Sequence, residues 1–139
     1  MTDLQNCRRI LHDGGYTCVL CKGDNVRTST KRGVAPLMEL LEQQTDVQLW
    51  SAADKVVGKA TALLYRLLGV RAVYALIISE SALEALQAGG IEVVYEALVP
   101  YIVNRAGDGR CPMETATADL RDPALAPAAI KAKLKELIK

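Results

Sequence analysis

Asp54, Lys55 and Lys59 place one carboxylate and two ammonium groups directly in front of a long apolar segment. The apolar side chains of residues 60–68 cover most of a helix circumference, and Gly69 follows them, so we predict a buried helix that begins at Asp54. Charge is costly in a core, so we expect this helix end to face a pocket. The lysines there could hold a phosphate or a carboxylate. Alternatively, Asp54 is only a helix N-cap and the lysines are solvated.

Ser79 and Glu80 form a second candidate, at the start of a predicted helix over residues 79–88. Helix N-termini beside the ends of central strands are where ligands bind in α/β sheets. The pair is therefore expected either to cap its own helix or to share a small anionic or hydroxyl-bearing ligand with the Asp54 helix.

Two loops add polar groups to this hypothesis. Asn104 and Arg105 open a glycine-bearing loop and could clamp a phosphate or a carboxylate, although charged loops are also simply soluble. Residues 29–33 (STKRG) have the composition of an anion cradle but lack the spacing of a P-loop. We expect a small-molecule ligand, anionic or nucleotide-like, bound by the following residues: Asp54, Lys55, Lys59, Ser79, Glu80, Asn104 and Arg105.

Cys111 supports the competing hypothesis of a thiol-dependent enzyme or redox sensor. It precedes Pro112 at a predicted helix start, and a helix N-terminus favours the thiolate. Glu114 opposes this effect, and no histidine is near in the sequence to act as a base. Cys111 and Asp54 are thus the two candidate catalytic residues, and a structural role for the cysteine is the alternative.

The sequence predicts no metal centre and no cofactor. Cys18 and Cys21 lie in a predicted strand, where residues three apart point to opposite faces and cannot chelate one ion. The chain has one histidine, His12, which falls near a predicted helix end. A single histidine does not favour a histidine-based metal site or a Ser-His-Asp catalytic triad.

The pattern of apolar and turn residues predicts one α/β domain over residues 1–139. A β-hairpin over residues 16–22 and 26–30 comes first, and the apolar run of residues 71–78 reads as a central strand covered on both faces. The expected architecture is a three-layer α/β/α domain with a mixed sheet of four or five strands. The other predicted segments are helices at 4–12, 35–44, 54–68, 79–88 and 127–138, an extended segment at 47–52 and a strand at 91–99.

The predicted C-terminal helix is apolar on one face and basic on the other. Its apolar face must cover either the sheet of its own chain or a neighbouring subunit. Because symmetric dimers are the commonest oligomers, we expect a homodimer.

Composition excludes several classes of partner. The chain has 17 basic and 16 acidic residues, so no overall field attracts nucleic acid or an anionic membrane. No segment is long and apolar enough to span a bilayer, and the first residues lack the apolar region of a signal peptide. We therefore expect a cytoplasmic protein with free thiols, bound to neither nucleic acid nor membranes.

Five short segments carry a resemblance to a known family. The chain resembles an uncharacterised bacterial domain-of-unknown-function family that is assigned to the cytidine-deaminase-like fold. The resemblance covers almost the whole chain and implies that fold, but it implies no activity. It rests on residues 33–37 (GVAPL), 53–60 (ADKVVGKA), 78–83 (ISESAL), 104–105 (NR) and 111–114 (CPME).

Zinc-dependent deamination is not expected. A zinc deaminase has a His or Cys ligand with a Glu two residues later before the central strand, and a Pro-Cys-x-x-Cys pair after it. Here the matching places read Asp54-Lys55-Val56 and residues 79–82 (SESA). The two thiolates, the imidazole and the glutamate are all replaced, so three nitrogen or sulfur ligands for zinc are not available.

Overall fold

The computed structural model describes residues 1–104 and 106–138, and they form one mixed sheet with helices around it. The strands are β1 (Cys18–Lys22), β2 (Asn25–Ser29), β3 (Ser51–Val57), β4 (Ala72–Ser79) and β5 (Glu92–Val99). The helices are α1 (Asp3–Gly14), α2 (Ala35–Glu42), α3 (Lys59–Leu68), α4 (Glu80–Ala88), α5 (Pro112–Thr117) and α6 (Ala126–Leu137), with a 3-10 turn at Pro123–Leu125.

The five strands lie in the order β2-β1-β3-β4-β5. The β1–β2 hairpin is antiparallel and β1 also pairs antiparallel with β3, whereas β3, β4 and β5 are mutually parallel. Helices α3 and α4 make the two crossovers that parallel neighbours require. The predicted α/β fold with an N-terminal hairpin and a mixed sheet is therefore confirmed, and the strand predicted at 71–78 lies inside the sheet.

Two apolar clusters cover the two faces of the sheet. On one face α1 buries Cys7 and Leu11 against Val19, Ala53 and Tyr74. On the other face the larger cluster joins α2, α3, α4 and the first half of α6 to the strands. Every side chain of α3 from Ala60 to Tyr65 is buried, which confirms that this helix lies inside the core.

The prediction for Asp54 itself was wrong in one respect. Asp54 lies in β3, not at the start of a helix, and α3 begins five residues later at Lys59. Its strand is hydrogen-bonded on both sides, with Asp54 opposite Cys18 on β1 and Ala75 on β4. These ladder bonds override the helix propensity of the Ala-Ala-Asp-Lys segment, and Gly58 then breaks the strand.

Other element boundaries differ by a few residues from those predicted. The last two residues of the extended segment expected at 47–52 are the start of β3, and residues 47–50 form the turn that precedes it. Thr2 caps α1, because its hydroxyl accepts a hydrogen bond from the backbone N–H of Gln5 while the Gln5 side chain accepts one from the backbone N–H of Thr2.

The C-terminal helix α6 divides into two halves. Ala126 and Ile130 are fully buried against their own chain, whereas Leu134 is 42% and Leu137 53% exposed. Within residues 1–104 and 106–138, no helix has both the length and the apolar composition needed to cross a membrane.

Candidate functional site

A cavity of about 410 Å³ opens at the carboxyl end of β3. Its walls come from the second half of β3, the start of β1, residues 31–36 at the start of α2, the first turn of α3, Ile102 and residues 111–114. In parallel α/β sheets, the carboxyl ends of strands are where ligands bind. The position and volume of this cavity make it the candidate site for a small molecule.

Asp54 is one of the buried polar residues that line the cavity, with only 7% of its surface exposed. The hydroxyl of Tyr65 on α3 donates a 2.8 Å hydrogen bond to Asp54 Oδ2, and the backbone N–H of Val56 lies 3.4 Å from Oδ1. Burial raises the pKa of this carboxyl to about 7, although both hydrogen bonds lower it. Near neutral pH, Asp54 can therefore either donate or accept a proton.

Cys18 and Tyr65 continue the hydrogen bonding of Asp54 into the core. The Cys18 thiol lies 3.4 Å from the Tyr65 hydroxyl. Burial raises the pKa of both groups, so the thiol and the phenol stay protonated at neutral pH. Because the single Tyr65 proton goes to Asp54, the Cys18 thiol donates to Tyr65, and the three side chains form a directed hydrogen-bond chain that ends at the cavity.

Cations stand at the rim of the cavity, in contrast to the carboxyl at its base. Lys31, Arg32 and Lys55 all line it and are all exposed. Lys31 pairs with Glu39 on α2. Arg32 and Lys55 thus present positive charge above a base that carries Asp54.

The Glu114 carboxylate lies at the N-terminus of α3, the kind of position at which the sequence predicts an anionic ligand. The Glu114 carboxylate accepts from Ile102 N at 2.6 Å and from Lys59 N at 3.4 Å. Gly58 permits this approach, because a Cβ at position 58 would lie only 3.0 Å from Glu114 Cγ. The chain itself therefore caps α3, and an anionic ligand group would have to bind at the rim.

The structure brings together three of the predicted site residues, Asp54, Lys55 and Cys111, which all line the cavity. The Lys59 side chain turns away, and its ammonium donates to Ala118 O at 2.6 Å. Asn104 lines an adjoining groove, where its amide donates to Asp108 Oδ1 and closes its own loop.

Ser79 and Glu80 do not line this cavity. Ser79 caps α4, with its hydroxyl accepting from Ala82 N at 3.2 Å, and Glu80 is exposed in the first turn of that helix. Of the two roles predicted for Ser79, helix capping and ligand binding, the structure shows helix capping. Arg105 lies outside the described residues.

Sequence reasoning did not select Cys18, Tyr65 or Glu114 as site residues. Tyr65 is one of seven buried residues of α3, and nothing in its spacing distinguishes it from core packing. In the sequence, Glu114 bears only on Cys111, as a negative charge that opposes the thiolate. Cys18 could have been found from the predicted hairpin, because pairing of its first strand with the next strand of the chain places Cys18 opposite Asp54.

The fold and the cavity define an α/β protein with a mixed five-stranded sheet and a pocket at the end of β3 that contains the buried Asp54 carboxyl. Comparison with known families assigns it further. The chain belongs to the TM1506 family, a domain of unknown function (DUF1893), whose model matches residues 6–134. No curated protein matches the chain.

A solved structure has the same fold. The chain is similar to the crystal structure of a DUF1893 family protein (TM1506) from Thermotoga maritima, with a TM-score of 0.85 and 24% identity over 96% of this chain and 91% of that chain. This similarity confirms the α/β fold. The match to the family model confirms the predicted resemblance to a family of unknown function.

Proposed function

We propose that the protein binds a small anionic or nucleotide-like ligand in the Asp54 cavity and is a binder with little or no catalytic activity. The observation that carries the proposal is a buried carboxyl, with a pKa of about 7, at the base of an open cavity. Such a group can donate a hydrogen bond to a ligand or accept one, while Arg32 and Lys55 at the rim attract an anionic group.

We further propose that the fold is of the cytidine-deaminase-like type without deaminase chemistry. The strand order and the two crossover helices support the first part. The residues at the two helix starts support the second, because α3 begins Gly58-Lys59-Ala60 and α4 follows Ser79 with Glu80-Ser81. Neither place holds an imidazole or a thiolate for zinc.

The binding proposal is tested by calorimetric titration with nucleoside monophosphates and with inorganic phosphate near neutral pH. We expect at least one nucleotide to bind, and we expect Asp54→Asn to weaken that binding by about tenfold or more, since a hydrogen bond to a charged group contributes about 1.5–3 kcal/mol. Arg32→Gln should weaken the binding of both the nucleotide and inorganic phosphate.

Asp24→Asn is the matched control, because this substitution removes the same charge from a residue that is exposed in the hairpin turn. Equal affinities for Asp54→Asn and Asp24→Asn would contradict the proposal, as would the failure of every nucleotide to bind at millimolar concentration.

A thiol-dependent enzyme remains the second candidate, because Cys111 lines the same cavity and is only half-buried. Cys7, Cys18 and Cys21 are buried. We therefore expect one thiol to react with a disulfide reporter at about pH 8 without unfolding, and Cys111→Ser to remove that phase. Cys21→Ser, the control, should leave it unchanged.

The pH dependence of this reaction separates the two candidates. A fast phase that is equally fast at about pH 6 would favour the thiol enzyme, since only an activated thiolate persists there. A fast phase that survives in Cys111→Ser would contradict the assignment of the accessible thiol.

We also propose that the protein forms a homodimer. Among the strands of residues 1–104 and 106–138, β5 pairs only with β4, and its Val94, Tyr95 and Leu98 side chains are 40–43% exposed. An edge strand of this kind is a template for pairing with a second copy. We expect sedimentation at micromolar concentration to give a dimer and Leu98→Lys to give a monomer. A single species near 15 kDa for the unaltered chain would contradict this.

A further inference from the structure

A second concavity, of about 770 Å³, lies between α2 and α6 and is mostly apolar. Val34 and Met38 line it from the α2 side, and Leu134 and Leu137 line it from the second half of α6. We call it the α2–α6 groove. Its leucines are the exposed part of the α6 apolar face that the chain itself leaves uncovered.

The α2–α6 groove adjoins the Asp54 cavity. Five residues line both spaces: Arg32, Gly33, Val34, Cys111 and Met113. Among these shared residues only Arg32 is charged, so its guanidinium lies beside the apolar groove and at the rim of the cavity.

Charges border the groove at its outer edge. Lys131 on α6 and Glu42 on α2 approach to 3.9 Å across the opening. Both side chains are 57% exposed, so this ion pair contributes little stability, but it links the two walls above the apolar surface. A chain inside the groove would have aliphatic contacts below and solvated charges above.

We infer that the ligand of this protein is an amphiphile, with an anionic head at Arg32 and an aliphatic chain in the α2–α6 groove. This inference rests on the proposed binding function and specifies its ligand class. The head lies at the mouth of the Asp54 cavity, where the positive charge of the rim is. The chain covers Leu134 and Leu137, which a purely polar ligand would leave in water.

The test is a series of n-alkyl phosphates from ethyl to decyl, titrated calorimetrically below their critical micelle concentrations. We expect affinity to rise with chain length by about fourfold for each methylene group that becomes fully buried. The double variant Leu134→Ser and Leu137→Ser should flatten this dependence while leaving the affinity of ethyl phosphate unchanged. Leu125→Ser is the matched control, because Leu125 is 55% exposed and does not line the groove.

Affinity that is independent of chain length would overturn the inference, and so would a chain-length dependence that persists in the double variant. Co-sedimentation with phosphatidylglycerol vesicles without binding of the monomeric alkyl phosphates would overturn it as well, because the partner would then be a lipid surface. Failure of the proposed function gives a different result, in which neither the nucleotides nor any alkyl phosphate binds. Failure of this inference alone leaves phosphate or a nucleotide bound, with no dependence on chain length or on Leu134 and Leu137.

Discussion

Replacing Asp54 with Asn is expected to remove a large pH-dependent part of the free energy of unfolding. The pKa of Asp54 in the folded protein, about 7, lies above its ordinary value of 3.8, so the folded state holds this proton more tightly than the unfolded state. The contribution is fully present below about pH 4 and is lost as the pH rises through 7. That difference corresponds to about 4 kcal/mol.

The measurement is urea denaturation of both proteins between about pH 4 and about pH 8. We expect the unaltered protein to lose about 4 kcal/mol relative to Asp54→Asn across this range. Asparagine retains an oxygen that can accept from Tyr65, so the variant keeps that contact. Asp24→Asn serves again as the control and should follow the unaltered protein. Parallel curves for Asp54→Asn and the unaltered protein would show that Asp54 ionises normally.

Glu114→Ala is expected to destabilise the fold by about 3 kcal/mol, because it leaves two amide donors, Ile102 N and Lys59 N, without their acceptor. Glu114 is 7% exposed and joins α5 to the start of α3. Chemical denaturation at neutral pH measures the loss. Glu114→Gln, which keeps one carbonyl oxygen, should lose less.

Glu136→Ala provides the comparison, since the Glu136 side chain is 68% exposed on α6 and its loss should stay within about 0.5 kcal/mol. A Glu114→Ala variant as stable as Glu136→Ala would mean that the carboxylate does not cap α3. Because Glu114 also lines the Asp54 cavity, its removal should in addition enlarge the space available to a ligand.

Much of the fold follows from local patterns. Ser79 was predicted to cap a helix and does so, because a serine hydroxyl can reach the backbone N–H three residues on. Gly69 was predicted to end α3, and it does so in a left-handed conformation that glycine adopts without strain. The opposite orientation of Cys18 and Cys21 follows from the two-residue period of a strand, and the two thiols lie in different core clusters.

The site depended on contacts between distant residues. Asp54 precedes a helix closely enough that its Ala-Ala-Asp-Lys segment favours a helix start, and only pairing with β1 and β4 makes it a strand residue. Tyr65 lies eleven positions along the chain from Asp54, which would be about 16 Å in one continuous helix. The two side chains meet only because β3 ends before Gly58 and α3 packs back on the sheet. Glu114 reaches Lys59 across fifty-five positions.

The sequence by itself thus determined the elements, the hairpin and the buried nature of α3, because spacing of apolar, capping and turn residues expresses interactions within a few positions. It also pointed to Asp54 and Lys55. Only the tertiary structure decided that Asp54 is a buried strand carboxyl, that Tyr65 donates to it and that Glu114 closes the α3 N-terminus. Burial and hydrogen bonding between separate elements depend on how the sheet and helices pack, and that packing set the pKa of Asp54 and the shape of its cavity.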